Sequence, residues 1–226
     1  MSKALFVTGT DTNVGKTYIS TLLLKALNKK GLQTFAIKPI ASGCYPDRLG
    51  NLRNEDAILL RKHASLKQPY KVVNPIRFQK PIAPHIAAIE EGVLLSSKIL
   101  VDTITNSMNL QADVNIIEGA GGWFLPLNDD DLLSDVIKQL KISVVLVVGV
   151  RLGCLNHALL TYRAIEAQKI PCIGWVANCI DDNMLNIEDN IATLKAMLPV
   201  PCLGTVAYGN QDEQVLDVDF IQSSLL

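Results

Sequence analysis

Short apolar, β-branched runs alternate along this chain with longer stretches in which apolar residues recur every three or four positions. An unbroken apolar run of five to eight residues fits a buried strand, and a period near 3.6 fits a helix with one covered face. By that reading Ala4–Thr8, Thr34–Lys38, Val114–Glu118, Ser143–Val150, Cys172–Ala177 and Cys202–Val206 are strands. Several are apolar throughout, as expected of strands covered on both faces. Ile19, Leu22, Leu23, Ala26 and Leu27 share one face of a helix predicted to end near Gly31. Ile187, Ile191, Leu194 and Leu198 make a second such face, stopped by Pro199. Alternation of this kind predicts a three-layer α/β fold, with a mostly parallel central sheet and helices on both faces.

The interval from Lys38 to Val114 departs from the pattern. It holds Pro39, Pro46, Pro69, Pro75, Pro81 and Pro84, with helical pieces near Glu55–Lys62 and Pro84–Glu90. A crossover of that length is expected to carry function or a lid. No repeat, low-complexity tract or linker divides the 226 residues, and one domain over 1–226 is expected.

Composition narrows the classes. Apolar residues make up 49% and charged residues 19%, and 21 basic against 22 acidic side chains leave a net charge of −1. Such a balance argues against a general nucleic-acid or membrane-surface binder. The apolar run at the start is too short for a secretory signal, and Ile142–Val150 falls far short of the roughly 20 residues that cross a bilayer. The five cysteines form no CxxC pair, and the three histidines are scattered. Neither disulfides nor a zinc site is expected, and a reducing cytoplasm is the natural compartment.

Ligands of open α/β sheets bind beyond the carboxyl ends of the strands. The residues that follow the predicted strands are Gly9–Thr17, Lys38–Ser42, Glu118–Gly122, Arg151–Asn156, Asn178 and Ala207–Gly209, a convergence of glycine, polar and charged groups. Between the first strand and first helix, GTDTNVGKT ends as a Walker A loop does, although Gly9 and Gly15 are separated by five residues rather than four. In such a P-loop NTPase-like site, backbone amides surround phosphates at a helix N-terminus, Lys16 reaches the β- and γ-phosphates, and Thr17 ligates Mg²⁺. Mg²⁺ on a triphosphate takes one or two carboxylates. Glu118, followed by Gly119, Ala120, Gly121 and Gly122, is the best further ligand, and Asp56 is the third candidate. Lys38 ends a strand at the same edge and can neutralise charge in phosphoryl transfer. The competing reading of Lys38 is a solvated strand terminus. Ser42 reaches the same mouth if its loop folds back. Lys16→Ala and Lys38→Ala are expected to abolish turnover and leave the fold intact, on the view that both face solvent.

The segments GTDTNVGKT, KPIASG, RNEDA, VNP, PHIAA, IEGAGGWFLPL, VVGVRLGCLNHALLT and GWVAN follow in order across nearly the whole chain. Together they resemble the dethiobiotin synthetase family. The resemblance implies a homodimer that uses CO₂ and ATP, with Mg²⁺, to close a ureido ring on 7,8-diaminononanoate through a carbamate and a carbamic–phosphoric anhydride. It implies catalytic roles for Lys16 and Lys38 and metal ligation by Thr17, Asp56 and Glu118. ATP would be held by Asn13, Val14, Gly15, Lys16, Thr17, Tyr18, Asp56, Glu118, Gly119, Ala120 and Gly121, with Asn178 and Ala207-Tyr208-Gly209 at the adenine. Thr12 and Ser42 would contact the diamine or carbamate. The turn Gly153-Cys154-Leu155-Asn156 would offer its free amides to the substrate carboxylate of the neighbouring subunit. Asn13, Cys179 and Ala207–Gly209 depart from the family pattern, which bears on nucleotide selectivity.

Two rivals remain. An amide-forming synthetase of the cobyric-acid type normally carries a glutaminase domain, for which 226 residues leave no room. A partitioning-type nucleotide switch normally carries a further lysine near the start of the loop, absent here. Cys154 opens a helix as some nucleophiles do, but no histidine is placed to activate it, and a structural role is favoured.

Overall fold

The computed structural model describes residues 3–210 and 212–225; Met1, Ser2, Gln211 and Leu226 of the expected 1–226 unit lie outside them. In chain order, β1 (Lys3–Gly9) leads to α1 (Lys16–Lys29) and β2 (Thr34–Ile37). The long crossover holds β3 (Ile40–Ala41), β4 (Tyr45–Pro46), β5 (Leu52–Arg53), α2 (Glu55–His63), α3 (Tyr70–Val73), β6 (Ile76–Arg77), α4 (Pro84–Glu90) and α5 (Ser97–Ser107). Alternation then resumes with β7 (Val114–Glu118), α6 (Leu133–Leu140), β8 (Ser143–Val150), α7 (Cys154–Ala167), β9 (Cys172–Cys179), α8 (Ile187–Met197) and β10 (Cys202–Val206). The short helix α9 (Val218–Ser224) comes last.

Six strands pair in parallel in the order β10-β9-β8-β1-β7-β2. Parallel neighbours need crossovers of a dozen or more residues, and the helices supply them. β1 lies inside the sheet with β7 on one side and β8 on the other, so strand order reverses at its carboxyl end. A crevice for ligand opens at such a point.

Successive side chains of a strand point to opposite faces. Leu5, Val7, Ala36, Ile116, Val145 and Val147 pack with Ile19, Leu22, Leu23 and Leu27 of α1 and with Val218 and Ile221 of α9. Phe6, Phe35, Ile117 and Val144 turn to the other face, against Leu100 and Ile104 of α5 and Val136 and Ile137 of α6. On that face Leu146, Val148 and Trp175 meet Ala158 and Tyr162 of α7 and Ile191 and Leu194 of α8. The expected three layers are therefore in place. Each large side chain fully buried this way contributes roughly 1.5–3 kcal/mol of transfer free energy.

Three strands depart from their expected limits, and β1 runs one residue further at each end, Lys3–Gly9. β2 stops at Ile37, because the Lys38 amide leaves the ladder to donate to the Val73 carbonyl at 2.7 Å and Pro39 has no amide to give. β9 continues to Cys179, since Gly149 and Val150 of β8 supply partners for Asn178 and Cys179. α1 ends at Lys29, and Gly31 follows at φ 82°, as its sequence position suggests.

Candidate functional site

The alternation that builds the core also aims the polar groups at the strand ends. Glu118 shares its parity with Ile116 on β7, and Asn178 with Val176 on β9. Both therefore face the α1 side of the sheet. Lys38 shares the parity of Ala36 and lies one step beyond the Ile37–Ile117 pair, which sets it beside Glu118. The loop from Thr10 to Gly15 brings the first turn of α1 over the same spot. Gly15 takes φ 87° there, and a Cβ on it would sit 2.1 Å from Asn178 Nδ2, so the position needs glycine on both counts.

Lys38 is 4% exposed and Glu118 is fully buried. The Lys38 ammonium donates to Glu118 Oε1 at 2.6 Å and to the Gly119 carbonyl at 3.0 Å, and lies 3.1 Å from Asp56 Oδ2. The Thr17 hydroxyl donates to the same Oε1 at 2.8 Å. Glu118 Oε2 is buried and has no hydrogen-bond partner among the described residues. The Lys16 ammonium donates to two carbonyls, Asp11 at 2.8 Å and Gly121 at 2.6 Å, and so ties the phosphate loop to the glycine turn after β7. Asp56 stands in the first turn of α2, which Asn54 caps by accepting from the Ala57 amide at 3.3 Å.

The two lysines are pushed in opposite directions. Burial, reinforced by the nearby Lys38 charge, lowers Lys16 to about 8, and Glu118, Asp56 and Asp11 only partly offset it. Burial also acts to lower Lys38, but Glu118 and Asp56 outweigh it and hold that ammonium above the ordinary lysine range. Burial would raise Asp56, but the Lys38 charge prevails and holds its carboxyl below the usual range. The result is a desolvated cluster of fixed charge, the kind of environment that stabilises charge moving between oxygens.

A cleft of about 1100 Å³ opens over this cluster. Thr12, Asn13, Gly15, Lys16, Thr17 and Tyr18 line one wall; Lys38, Ser42, Asp56, Ala120 and Gly121 line the other. Ser42 does reach this mouth, and its buried Oγ has no partner among the described residues. Val14 is buried beneath the loop, and its carbonyl accepts from Asn178 Nδ2 at 2.9 Å. Gly119 passes so close to Phe6 that a Cβ would come within 2.8 Å of the ring. Ala207, Tyr208 and Gly209 are exposed just beyond Val206, the register partner of Asn178. A smaller cavity of about 350 Å³ lies at the amino ends of β1 and β7, beside Lys3 and Asp113, away from these groups.

Three expectations need correction. Lys16 and Lys38 do not face solvent; at 7% and 4% exposure they are among the buried polar residues, because carbonyls and carboxylates take up their charge. The solvated-terminus reading of Lys38 falls with that. The turn Gly153–Asn156 opens α7, but its Cys154 amide is not free, since it donates to the Arg151 carbonyl at 2.9 Å. Cys154 itself is 1% exposed, consistent with a structural role. Sequence reasoning missed the ion pair between Arg151 Nη2 and Asp11 Oδ2, 2.7 Å apart, which joins the phosphate loop to the turn after β8. Both residues stood at the sheet edge in the sequence, and their pairing across 140 positions had no local signal.

Comparison with known proteins adds to this geometry. The family model described as an AAA domain matches residues 3–213. The ATP-dependent dethiobiotin synthetase BioD of Pseudomonas aeruginosa (strain UCBPP-PA14) is 51% identical over 203 residues, covering 90% of this chain and 89% of that protein. Its counterpart in Cellvibrio japonicus (strain Ueda107) is 48% identical over 204 residues, with coverage of 90% and 89%. That of Aeromonas salmonicida (strain A449) is 47% identical over 212 residues, with coverage of 93% and 92%. Among solved structures, the septum site-determining protein MinD complexed with Mg-ADP from Pyrococcus horikoshii OT3 matches with a TM-score of 0.58 at 14% identity, over 98% of this chain and 94% of that one. The cell division protein FtsY from Thermotoga maritima matches with a TM-score of 0.54 at 14% identity, over 100% and 69%. At that identity the two structures speak to the fold alone.

Proposed function

Since this chain belongs to the ATP-dependent dethiobiotin synthetase family, we propose that it closes the ureido ring of dethiobiotin on 7,8-diaminononanoate, using CO₂ and ATP. The 7-amino group adds CO₂ and loses a proton, giving a carbamate. A carbamate oxygen attacks the γ-phosphorus, and ADP leaves. The second amine then attacks the carbonyl carbon of the mixed anhydride, and phosphate leaves as the ring closes.

Phosphoryl transfer asks the protein for positioning and charge stabilisation more than for a strong base. The observation that carries the reading is the buried Lys38 ammonium, held by Glu118 and Asp56 in the same cleft as Lys16 and Thr17. Lys38 keeps its proton through the neutral range and offers permanent positive charge to the carbamate and the phosphoryl group. Lys16 would leave the Asp11 and Gly121 carbonyls for the β- and γ-phosphates. Thr12 and Ser42 would contact the diamine or carbamate, and the unpartnered Ser42 Oγ supports that role.

Thr17, Asp56 and Glu118 would hold Mg²⁺. A hydroxyl and two carboxylates match the donor set of a phosphate-bound Mg²⁺, and the unpartnered buried Glu118 Oε2 supports the fit. When bound, the ion would neutralise charge on the phosphate oxygens. Asn13, Val14, Gly15, Tyr18, Gly119, Ala120 and Gly121 would surround the phosphates, with Asn178 and Ala207–Gly209 at the adenine. With one N–H of Asn178 given to the Val14 carbonyl, the other N–H and Oδ1 would be left to read the base.

Gly153, Cys154, Leu155 and Asn156 would serve the site of a second copy of the chain, in a homodimer. The absence of these four from their own cleft supports that arrangement, as do the exposed Leu152 and Leu160 beside them. The five cysteines, all free, suit a cytoplasmic enzyme.

The test is incubation with diaminononanoate, ATP, Mg²⁺ and labelled bicarbonate. Labelled cyclic urea with matching ADP, lost when the diamine is omitted, is expected. Diamine-independent ATP hydrolysis without that product would refute the proposal and favour a nucleotide switch.

A further inference from the structure

The segment Val73-Asn74-Pro75 stands out in the sequence, yet none of its residues lines the cleft. Asn74 is nonetheless fully buried at the end of α3. Its Nδ2 donates to the Lys38 carbonyl at 2.7 Å, and its Oδ1 lies 3.3 Å from the Tyr70 hydroxyl. That hydroxyl accepts from the Asn54 amide at 2.8 Å. The Val73 carbonyl accepts from the Lys38 amide at 2.7 Å.

One short helix thus holds two separate stretches of backbone. It takes both the amide and the carbonyl of Lys38, just where that residue leaves the sheet. It also takes the amide of Asn54, the cap of the helix whose first turn carries Asp56. The two side chains so anchored are those 3.1 Å apart across the cleft.

The residue types fit this task better than plain packing. A buried amide is costly unless its hydrogen bonds are made. An asparagine amide donates from its nitrogen and accepts at its oxygen, so its two separate atoms reach the Lys38 carbonyl and the Tyr70 hydroxyl at once. Tyr70 is itself held, with the Arg53 guanidinium 4.3 Å from its ring centre and that of Arg77 at 5.9 Å. The ring contacts therefore hold the hydroxyl oxygen in place.

We propose that Tyr70 and Asn74 are positioning residues that set the Lys38 ammonium and the Asp56 carboxylate at the separation phosphoryl transfer requires. They touch no reactant and act through Lys38 and through Asn54. The inference rests on the roles proposed for Lys38 and Asp56. Displacements of about 1 Å from remote changes can cost on the order of a hundredfold in rate. Losing one of several anchors should cost less.

The experiment compares wild type, Tyr70→Phe and Asn74→Ser in the labelled-bicarbonate assay, with thermal melting and hydrogen exchange of each. Tyr70→Phe keeps the ring beside the two arginines and removes only the hydroxyl. It is expected to lower kcat about tenfold with KM for the diamine within about twofold, the mark of a contribution made in the transition state. Asn74→Ser is expected to lose more, and the Asn54 amide should exchange faster in Tyr70→Phe, which removes its acceptor. Should Asn74→Ser fail to fold, Tyr70→Phe decides alone. A folded Tyr70→Phe with wild-type kcat overturns the proposal. So does a rate loss that disappears at a temperature where the variant is fully folded, since that marks stability rather than positioning. Wild-type protein that makes no cyclic urea overturns the functional reading itself, and the inference with it.

Discussion

Replacing Lys38 by methionine should destabilise the fold as well as stop the chemistry. Methionine keeps most of the length and apolar stem of lysine, so the packing around β2 is largely preserved. What is lost is the cation bonded to Glu118 Oε1 at 2.6 Å. Glu118 is fully buried, and the Thr17 hydroxyl would be its remaining side-chain partner, with Oε2 unpaired. Removing one member of a buried pair costs about 3–5 kcal/mol, because the other charge is left uncompensated in a poor solvent. Lys80–Glu90, with side chains 63% and 42% exposed, is the control: Lys80→Met should cost about 0–1 kcal/mol. Urea unfolding without nucleotide or Mg²⁺ measures both, since a shifted midpoint at constant slope reports stability alone. The double variant Lys38→Met with Glu118→Gln removes the stranded charge and should recover about 2 kcal/mol of the loss. If Lys38→Met unfolds within about 0.5 kcal/mol of wild type, the buried-pair reasoning is wrong and water reaches Glu118.

Lys16 should behave in the opposite way. Its folded pKa of about 8 lies below the free value of 10.5, so between the two the unfolded chain holds the extra proton and stability rises with pH. Lys16→Met in Mg²⁺- and nucleotide-free protein should therefore be more stable than wild type by about 3 kcal/mol at pH 7, a gap that closes towards pH 10.5. A gap that stays constant with pH contradicts the shift. Gly119→Ala brings a Cβ within 2.8 Å of the buried Phe6 ring and should cost about 1–3 kcal/mol in the same unfolding assay; wild-type stability would mean that the ring moves freely. Asn54→Ala deletes the cap of α2 and should cost about 1 kcal/mol with lowered turnover, because Asp56 rides on that first turn. Unchanged turnover would separate the cap from the site.

The sheet was legible because its strands are buried on both faces and so read as unbroken apolar runs. Val114–Glu118, Ser143–Val150 and Cys202–Val206 have the expected limits. The phosphate loop was legible because its chemistry is local to one strand–helix turn. α3 was not, since four residues give no periodicity, and its prolines at 69 and 75 read only as loop. The burial of Lys38 was not legible either. Whether a lysine at a strand end meets water depends on Glu118, 80 positions away, and on an aspartate in the crossover. Asn74 shows the same limit: in the sequence it is only part of a VNP segment shared with the family, and its bond to the Lys38 carbonyl has no local signal.

The burial of Lys38, Glu118 and Asn178 follows from how the core is built. Ala36, Ile116 and Val176 place apolar side chains under α1; two residues further along, the same alternation delivers Lys38, Glu118 and Asn178 to the same face. The polar site is thus the last layer of the α1 core rather than a set of groups added to its surface. No side chain there can be charged cheaply unless another answers it: Lys38 is paired directly with two carboxylates, while Lys16, hydrogen-bonded to carbonyls, is held near 8 by burial and by the Lys38 charge. An ammonium in that position gains more from an arriving triphosphate than a hydrated one would, because little water has to be removed when the anion binds. The same logic explains why positioning falls to α3. A cluster continuous with a rigid core can be adjusted only at its edge, where the chain leaves the sheet, and that edge is the Lys38 backbone that Val73 and Asn74 hold.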